Sequence, residues 1–237
     1  MNLYEKITSR TAKIGVIGLG YVGLPLAVEK AKAGFTVIGF DIQENKVDMV
    51  NKGINYIGDV VNAELEEIVK SGKLKATNNF DFIKECDAVM ICVPTPLDKF
   101  KQPDLTYVVN STEEVGKRIH SDMLVVLEST TYPGTTRELM KPILEAGGLK
   151  AGKDFYLAYS PEREDPGNKH FTTKTIPKVV GGFMPTCKEL ARKLYSLAID
   201  KMVPVSSLES AESAKILENV YRCINIAMVN ELKMVFD

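Results

Sequence analysis

The sequence predicts an α/β fold: a doubly wound, mostly parallel sheet followed by one long C-terminal helix. Three observations carry this expectation. Short β-branched runs alternate with helix-compatible amphipathic segments along residues 13–205, the pattern of a parallel sheet with crossover helices. The run Asp87-Ala88-Val89-Met90-Ile91-Cys92-Val93 is continuously apolar after its first residue, as a central strand covered on both faces requires. Residues 207–237 contain neither proline nor glycine, so one helix of roughly 45 Å is expected there at ~1.5 Å per residue. The chain therefore divides into a sheet domain over 1–205 and the start of a long helix over 206–237.

Taken in order, the first strand is residues 14–17, and Gly18, Gly20 and Gly23 follow at G-x-G-x-x-G spacing before a helix over 24–33. In this arrangement the first glycine permits a tight turn, the second lets the backbone approach a pyrophosphate, and the third allows close helix–strand packing. The helix start offers N–H groups and a positive dipole end to the anion. The next strand, 36–40, ends in Asp41, at about the ~20-residue offset of a ribose-binding carboxylate. The unit is Rossmann-like, and Asp41 would accept from both ribose hydroxyls and repel a 2′-phosphate, so NAD is favoured over NADP. A helix over 43–52 follows, with Val47 and Val50 on one face and Gly53 as its stop. Lys46 either reaches the ribose or adenine end of the cofactor or is an ordinary solvated lysine.

A second amphipathic helix is expected over 59–70, with Val60, Val61, Leu65, Ile68 and Val69 as its apolar set. A strand near 74–77 and a short helix near 81–85 lead into the apolar strand 87–93. Pro94-Thr95-Pro96 then forms a stiff loop at a strand's carboxyl end, where ligands of such sheets bind, and Thr95 can offer a hydroxyl to a cofactor. Asp104 caps a helix over 105–120, and a strand over 123–128 ends in Ser129-Thr130-Thr131-Tyr132-Pro133-Gly134-Thr135. The strand 155–159 runs into Ser160-Pro161-Glu162-Arg163-Glu164-Asp165-Pro166-Gly167-Asn168, either a catalytic loop or a surface turn, since its residues also favour turns. A strand over 178–182, a helix over 186–197 and a strand over 201–205 complete the sheet. On the long helix, Lys215, Asn219 and Arg222 share one face with Glu212 one turn earlier, while Val220, Ile224, Ala227, Met228, Leu232 and Val235 form an apolar stripe.

Composition narrows the function. The chain has 237 residues, 45% hydrophobic and 26% charged, with a formal net charge of -1, which argues against a nucleic-acid surface or a basic membrane-binding face. No apolar run approaches the ~18 residues of a membrane span, and residues 1–13 lack the apolar core of a signal peptide, so a cytoplasmic location is expected. Cys86, Cys92, Cys187 and Cys223 are scattered without metal-ligand spacing, which fits reduced thiols and no metal site.

Several loops together resemble the UDP-glucose/GDP-mannose dehydrogenase family of nucleotide-sugar 6-dehydrogenases. The resemblance rests on Gly18-Leu19-Gly20-Tyr21-Val22-Gly23-Leu24-Pro25, Cys92-Val93-Pro94-Thr95-Pro96, Ser129-Thr130 with Pro133-Gly134-Thr135, Ser160-Pro161-Glu162, and Lys215 with Asn219. It implies a two-step oxidation of a sugar C6 hydroxyl to a carboxylate, using two NAD and one water. It places cofactor contacts at Gly18, Gly20, Tyr21, Val22, Gly23, Asp41, Lys46, Pro94, Thr95 and Thr130. Catalytic roles fall on Thr130, Glu162, Lys215 and Asn219, and substrate contacts on Glu162, Arg163, Lys215, Asn219 and Arg222. A homodimer through the long helix is also implied. The family's second oxidation uses a cysteine nucleophile in a glycine-rich loop after the long helix, and none of the four cysteines here has that context. Residues 231–237 carry no helix stop signal, so the sequence reads as cut inside an element. The wording of the 129–135 and 161–168 loops and of Gly53-Ile54-Asn55-Tyr56-Ile57-Gly58 resembles the branch acting on UDP-N-acetylhexosamines, UDP-N-acetylglucosamine first. Alternatives are a UDP-glucose or UDP-N-acetylmannosamine substrate, or a sensing or scaffolding module that binds NAD without chemistry.

Overall fold

The computed structural model describes residues 1–162 and 173–236. Strands β1 (Lys13–Ile17), β2 (Thr36–Phe40), β3 (Leu74–Thr77), β4 (Ala88–Ile91), β5 (Leu124–Leu127), β6 (Tyr156–Tyr159), β7 (Lys178–Gly182) and β8 (Met202–Pro204) form one sheet, ordered β3-β2-β1-β4-β5-β6-β7-β8. The strands from β3 across to β6 are parallel, β7 runs antiparallel to β6, and β8 is parallel to β7. A parallel neighbour needs a crossover helix. The sequence between β6 and β7 is a proline-containing stretch without a helical pattern, while the helix α7 (Pro185–Ser196) lies between β7 and β8. The order reverses between β1 and β4, which makes the carboxyl ends of those strands the switch point where ligands bind in such sheets.

β4 and β5 are buried along their whole length, as their apolar runs require. One face of the sheet packs on α2 (Gly23–Lys32), α4 (Asn62–Lys70) and α7, together with α1 (Leu3–Thr8). The other packs on α5 (Thr106–Gly116) and α6 (Lys141–Glu145). Helix α3 (Glu44–Asn51) buries Val47 and Val50 as expected. The final helix, α8 (Leu208–Phe236), buries Leu208, Ala211, Glu212 and Lys215 in its first two turns, while Val220, Ile224, Met228, Leu232 and Val235 are exposed.

Several boundaries differ from the sequence reading. α4 begins at Asn62 rather than 59, leaving Val61 exposed at its cap. α5 ends at Gly116, and the His120 ring bonds to the carbonyls of Ser121 and Cys86 outside the helix. The 81–85 segment is a 3₁₀ helix, Phe80–Glu85. Three elements escaped the reading: α1, opened by a capping box between Asn2 and Glu5, a wide π turn, Thr135–Met140, and the short α6 that follows it. Among the described residues no helix is long and apolar enough to cross a membrane.

Lys30 is the unexpected core residue. On α2, fully buried, its Nζ donates to the Leu194 carbonyl at 2.8 Å and lies 4.2 Å from the centre of the Tyr195 ring. Burial pushes its ammonium down to about 7. An unfolded lysine holds its proton to about pH 10.4, so between these limits the unfolded chain binds more protons and stability rises with pH. Urea denaturation at about pH 7 and pH 9.5 should show that rise; Lys30→Met should flatten it and stabilise the protein most at the lower pH. Equal slopes for the two proteins would refute the buried charge.

Candidate active site

The glycine turn joins the end of β1 to α2. A Cβ on Gly23 would lie 1.8 Å from the Gly18 carbonyl oxygen, so the helix packs on the turn closely enough to exclude any side chain. A Cβ on Gly20 would meet nothing within 4 Å, so the backbone there is open to an approaching group. Val22, at the helix N-cap, supplies no side-chain cap, and Tyr21 is exposed beside it. An uncapped helix start with a bare glycine ahead of it is a fitting cradle for a dinucleotide diphosphate.

Asp41, at the end of β2, is buried. Its Oδ2 accepts the Leu19 N–H at 2.9 Å and its Oδ1 accepts the Gln43 N–H at 2.9 Å, which leaves each oxygen a second lone pair for a ribose hydroxyl. Lys46 Nζ stands 3.8 Å from Oδ2. Tyr56, which the sequence reading used only as a branch marker, donates its hydroxyl to the Leu19 carbonyl at 2.7 Å and so holds the glycine turn from the other side. Burial and the Asp41 charge raise its phenol.

The loops after β4 and β5 are tied together. Ser129 Oγ donates to the Val93 carbonyl at 2.6 Å, and Thr95 Oγ1 donates to the Thr130 carbonyl at 2.7 Å, beside Pro94. The Thr95 proton thus fastens two loops, and its oxygen lone pairs are what it can offer a cofactor.

Thr130, Glu162 and Lys215 come together from three elements. Thr130 Oγ1 donates to Glu162 Oε1 at 3.4 Å, Lys215 Nζ forms an ion pair with the same Oε1, and Nζ also donates to the Glu162 backbone carbonyl at 3.2 Å. Lys215 is buried. Asn219 is half-buried one turn further along α8, and its amide oxygen accepts from Arg222 Nη2 at 2.8 Å; Arg222 itself is exposed. Arg163, with Glu164 to Asn168, lies outside the described residues. The placement of Lys215 depends on a residue the sequence reading noted only as its helical neighbour. Buried Glu212 accepts the Gly134 N–H at 2.6 Å, the Thr136 N–H at 2.9 Å and the Thr136 hydroxyl at 2.7 Å. Burial raises its carboxyl despite the opposing pull of these three donors.

This arrangement provides a carboxylate to receive a proton, a hydroxyl to orient it, and an ammonium to stabilise a nearby oxyanion. It provides no thiolate from the core: Cys86, Cys92 and Cys187 are buried, and burial pushes the Cys86 thiol up to about 12 and raises Cys187. Cys223 is exposed on α8. Among the described residues no group of His, Cys, Asp and Glu could hold a metal ion.

The model of the UDP-glucose/GDP-mannose dehydrogenase family, NAD binding domain, matches residues 12–199. A UDP-N-acetyl-D-glucosamine 6-dehydrogenase of Pseudomonas aeruginosa is 43% identical over 227 residues, 95% of this chain and 53% of that protein. A UDP-N-acetyl-D-mannosamine dehydrogenase of Pyrococcus horikoshii is 34% identical, over 94% of this chain and 53% of its own length. The crystal structure of an NDP-N-acetyl-D-galactosaminuronic acid dehydrogenase from Methanosarcina mazei Go1 superposes with a TM-score of 0.84 at 36% identity, covering 98% of this chain and 52% of that one. The chain spans about half the length of the curated relatives it matches.

The two glycines should respond oppositely to a single methyl group. Gly20→Ala should leave the thermal midpoint near its original value but weaken NAD at least tenfold, about 1.4 kcal/mol, by calorimetric titration. Gly23→Ala should lower the midpoint itself. Unchanged NAD affinity in Gly20→Ala would place the diphosphate elsewhere.

Proposed function

The chain belongs to the UDP-glucose/GDP-mannose dehydrogenase family, and on that premise we propose that it forms the NAD site and part of the catalytic set of a nucleotide-sugar 6-dehydrogenase. The reaction oxidises the C6 hydroxyl of a UDP-N-acetylhexosamine to a carboxylate, taking up two NAD⁺ and one water and releasing two NADH and three protons. The observation that carries this reading is the sharing of one Glu162 oxygen by Thr130 and Lys215, at the carboxyl ends of the strands.

Bound NAD supplies the hydride acceptor for both oxidations. Asp41 holds the ribose hydroxyls through its remaining lone pairs, and the bare backbone at Gly20 receives the diphosphate, with Lys46, Pro94 and Thr95 along the same edge. Glu162 takes the hydroxyl proton, directly or through a water that Thr130 also holds. Lys215 stabilises the oxygen as it becomes an alkoxide. Asn219 and Arg222, one and two turns along α8, bind the sugar nucleotide, together with Arg163, the residue after Glu162. N-acetylglucosamine is the favoured sugar, supported by loop likeness and by higher identity to the relative named for it than to the mannosamine-named one. The product would feed surface-polysaccharide synthesis in the cytoplasm.

The exposed stripe on α8 supports a homodimer formed through this helix, the chain's sheet domain ending before it. Light scattering should show a dimer or higher species at micromolar concentration, and a clean monomer would contradict it.

Lys215→Ala tests the chemistry. In the active enzyme, turnover should fall by about 10²–10³, the cost of losing one oxyanion donor, while NAD affinity stays within about twofold as evidence of an intact fold. Unaffected turnover would refute the role assigned to Lys215. Absence of nucleotide-sugar oxidation by an NAD-binding unsubstituted enzyme would favour the sensing module.

A further inference from the structure

Under the candidate site lies a buried ionic group that the proposed chemistry does not use. Lys178, the first residue of β7, is 5% exposed, and Glu128, directly after β5, is 1% exposed. Lys178 Nζ donates to Glu128 Oε2 at 2.6 Å and to the Pro161 carbonyl at 3.3 Å. The Tyr195 hydroxyl, from α7, donates to the other Glu128 oxygen, and the Lys178 ammonium lies 5.2 Å from the Tyr195 ring centre. The chain order gives this its meaning. Glu128 stands two residues before Thr130, and Pro161 stands one residue before Glu162.

We infer that Lys178 is a positioning residue: its ammonium clamps the end of β5 to the end of β6 and thereby sets the separation of Thr130 from Glu162. The inference rests on the catalytic reading of those two residues. Their contact, at 3.4 Å, is longer than an ordinary O–H···O bond and so weak that a small drift of either strand end ends it. Three neighbouring bonds act on the same strand ends: from the Ser160 N–H to the Leu127 carbonyl at 3.0 Å and from the Tyr159 hydroxyl to the Ser129 carbonyl at 3.1 Å, both between β5 and β6, and from Ser160 Oγ to the Val179 carbonyl on β7 at 2.7 Å. None of them reaches the residue next to Glu162 from the residue next to the Ser129-Thr130 pair; the Lys178 ammonium does. A buried ion pair is an inefficient way to fill a core, because apolar side chains of similar volume commonly serve stability as well or better. What an apolar pair cannot supply is the second hydrogen bond to Pro161.

The test separates clamping from folding. Lys178→Met alone leaves Glu128 buried without its cation and should lower the thermal midpoint. The double variant Glu128→Gln/Lys178→Met removes both charges, keeps an acceptor for Tyr195, and should bring the midpoint back toward that of the unsubstituted protein. In that double variant kcat should remain about 10- to 100-fold low, the scale of an ångström-sized misplacement, with NAD affinity within about twofold and KM for the sugar nucleotide little changed. Its crystal structure should show Thr130 and Glu162 beyond hydrogen-bond reach. Recovery of kcat together with the thermal midpoint would overturn the inference and leave the pair a packing element. If the unsubstituted enzyme oxidises no nucleotide sugar, the catalytic reading fails on its own, and an unchanged Thr130–Glu162 separation in the double variant would still overturn the clamp.

Discussion

Glu212 fastens α8 to the sheet by accepting two backbone N–H groups and one hydroxyl from the turn after β5. Burying a carboxylate is costly, and three donors aimed at its two oxygens offset that cost. Leu208 and Ala211 add apolar burial at the same end and Arg137 pairs with Glu209, whereas beyond Lys215 the helix's side chains are largely exposed. One turn after this anchor, Lys215 reaches Glu162. The ammonium, the carboxylate and the Thr130 hydroxyl therefore meet because a buried acid upstream fixes both the helix and the loop that follow from β5.

The same economy appears on the cofactor side. Asp41 and Tyr56 hold Leu19 by its N–H and its carbonyl, so the glycine turn is fixed from two sides before any ligand arrives. Ser129 and Thr95 then stitch the β4 and β5 loops together through backbone carbonyls. Loops at strand ends are usually the mobile part of such a sheet. Here hydroxyl-to-carbonyl bonds make them a stiff ledge, and stiffness at the reacting atoms is what orientation-based catalysis requires.

Much of this was legible in the residue order because it is local. Glycine spacing, the offset to Asp41, and the unbroken apolar runs of β4 and β5 need only neighbours in sequence to be read. The convergence of Thr130, Glu162 and Lys215 came through resemblance, and the structure brings these three together while Asn219 bonds to Arg222. The unread features are those whose partners are distant: Glu212 with Gly134, 78 residues apart, and Lys178 with Glu128, 50 apart. Lys30 shares a helix face with the apolar Leu26 and Ala27, but the Leu194 carbonyl that accepts its hydrogen bond is 164 residues away. The capping box of α1 was a local signal, present in Asn2 and Glu5 and overlooked.

For the proposed reaction, the sugar's reacting carbon must sit between the NAD ledge and the Thr130–Glu162–Lys215 cluster. A crystal structure of the enzyme with NAD and UDP-N-acetylglucosamine tests it most directly. The nicotinamide should lie beside the Thr95 and Thr130 loops, with the sugar C6 oxygen within hydrogen-bond reach of both Lys215 and Glu162. A sugar nucleotide seated away from these three side chains, with NAD bound at the glycine turn, would contradict it.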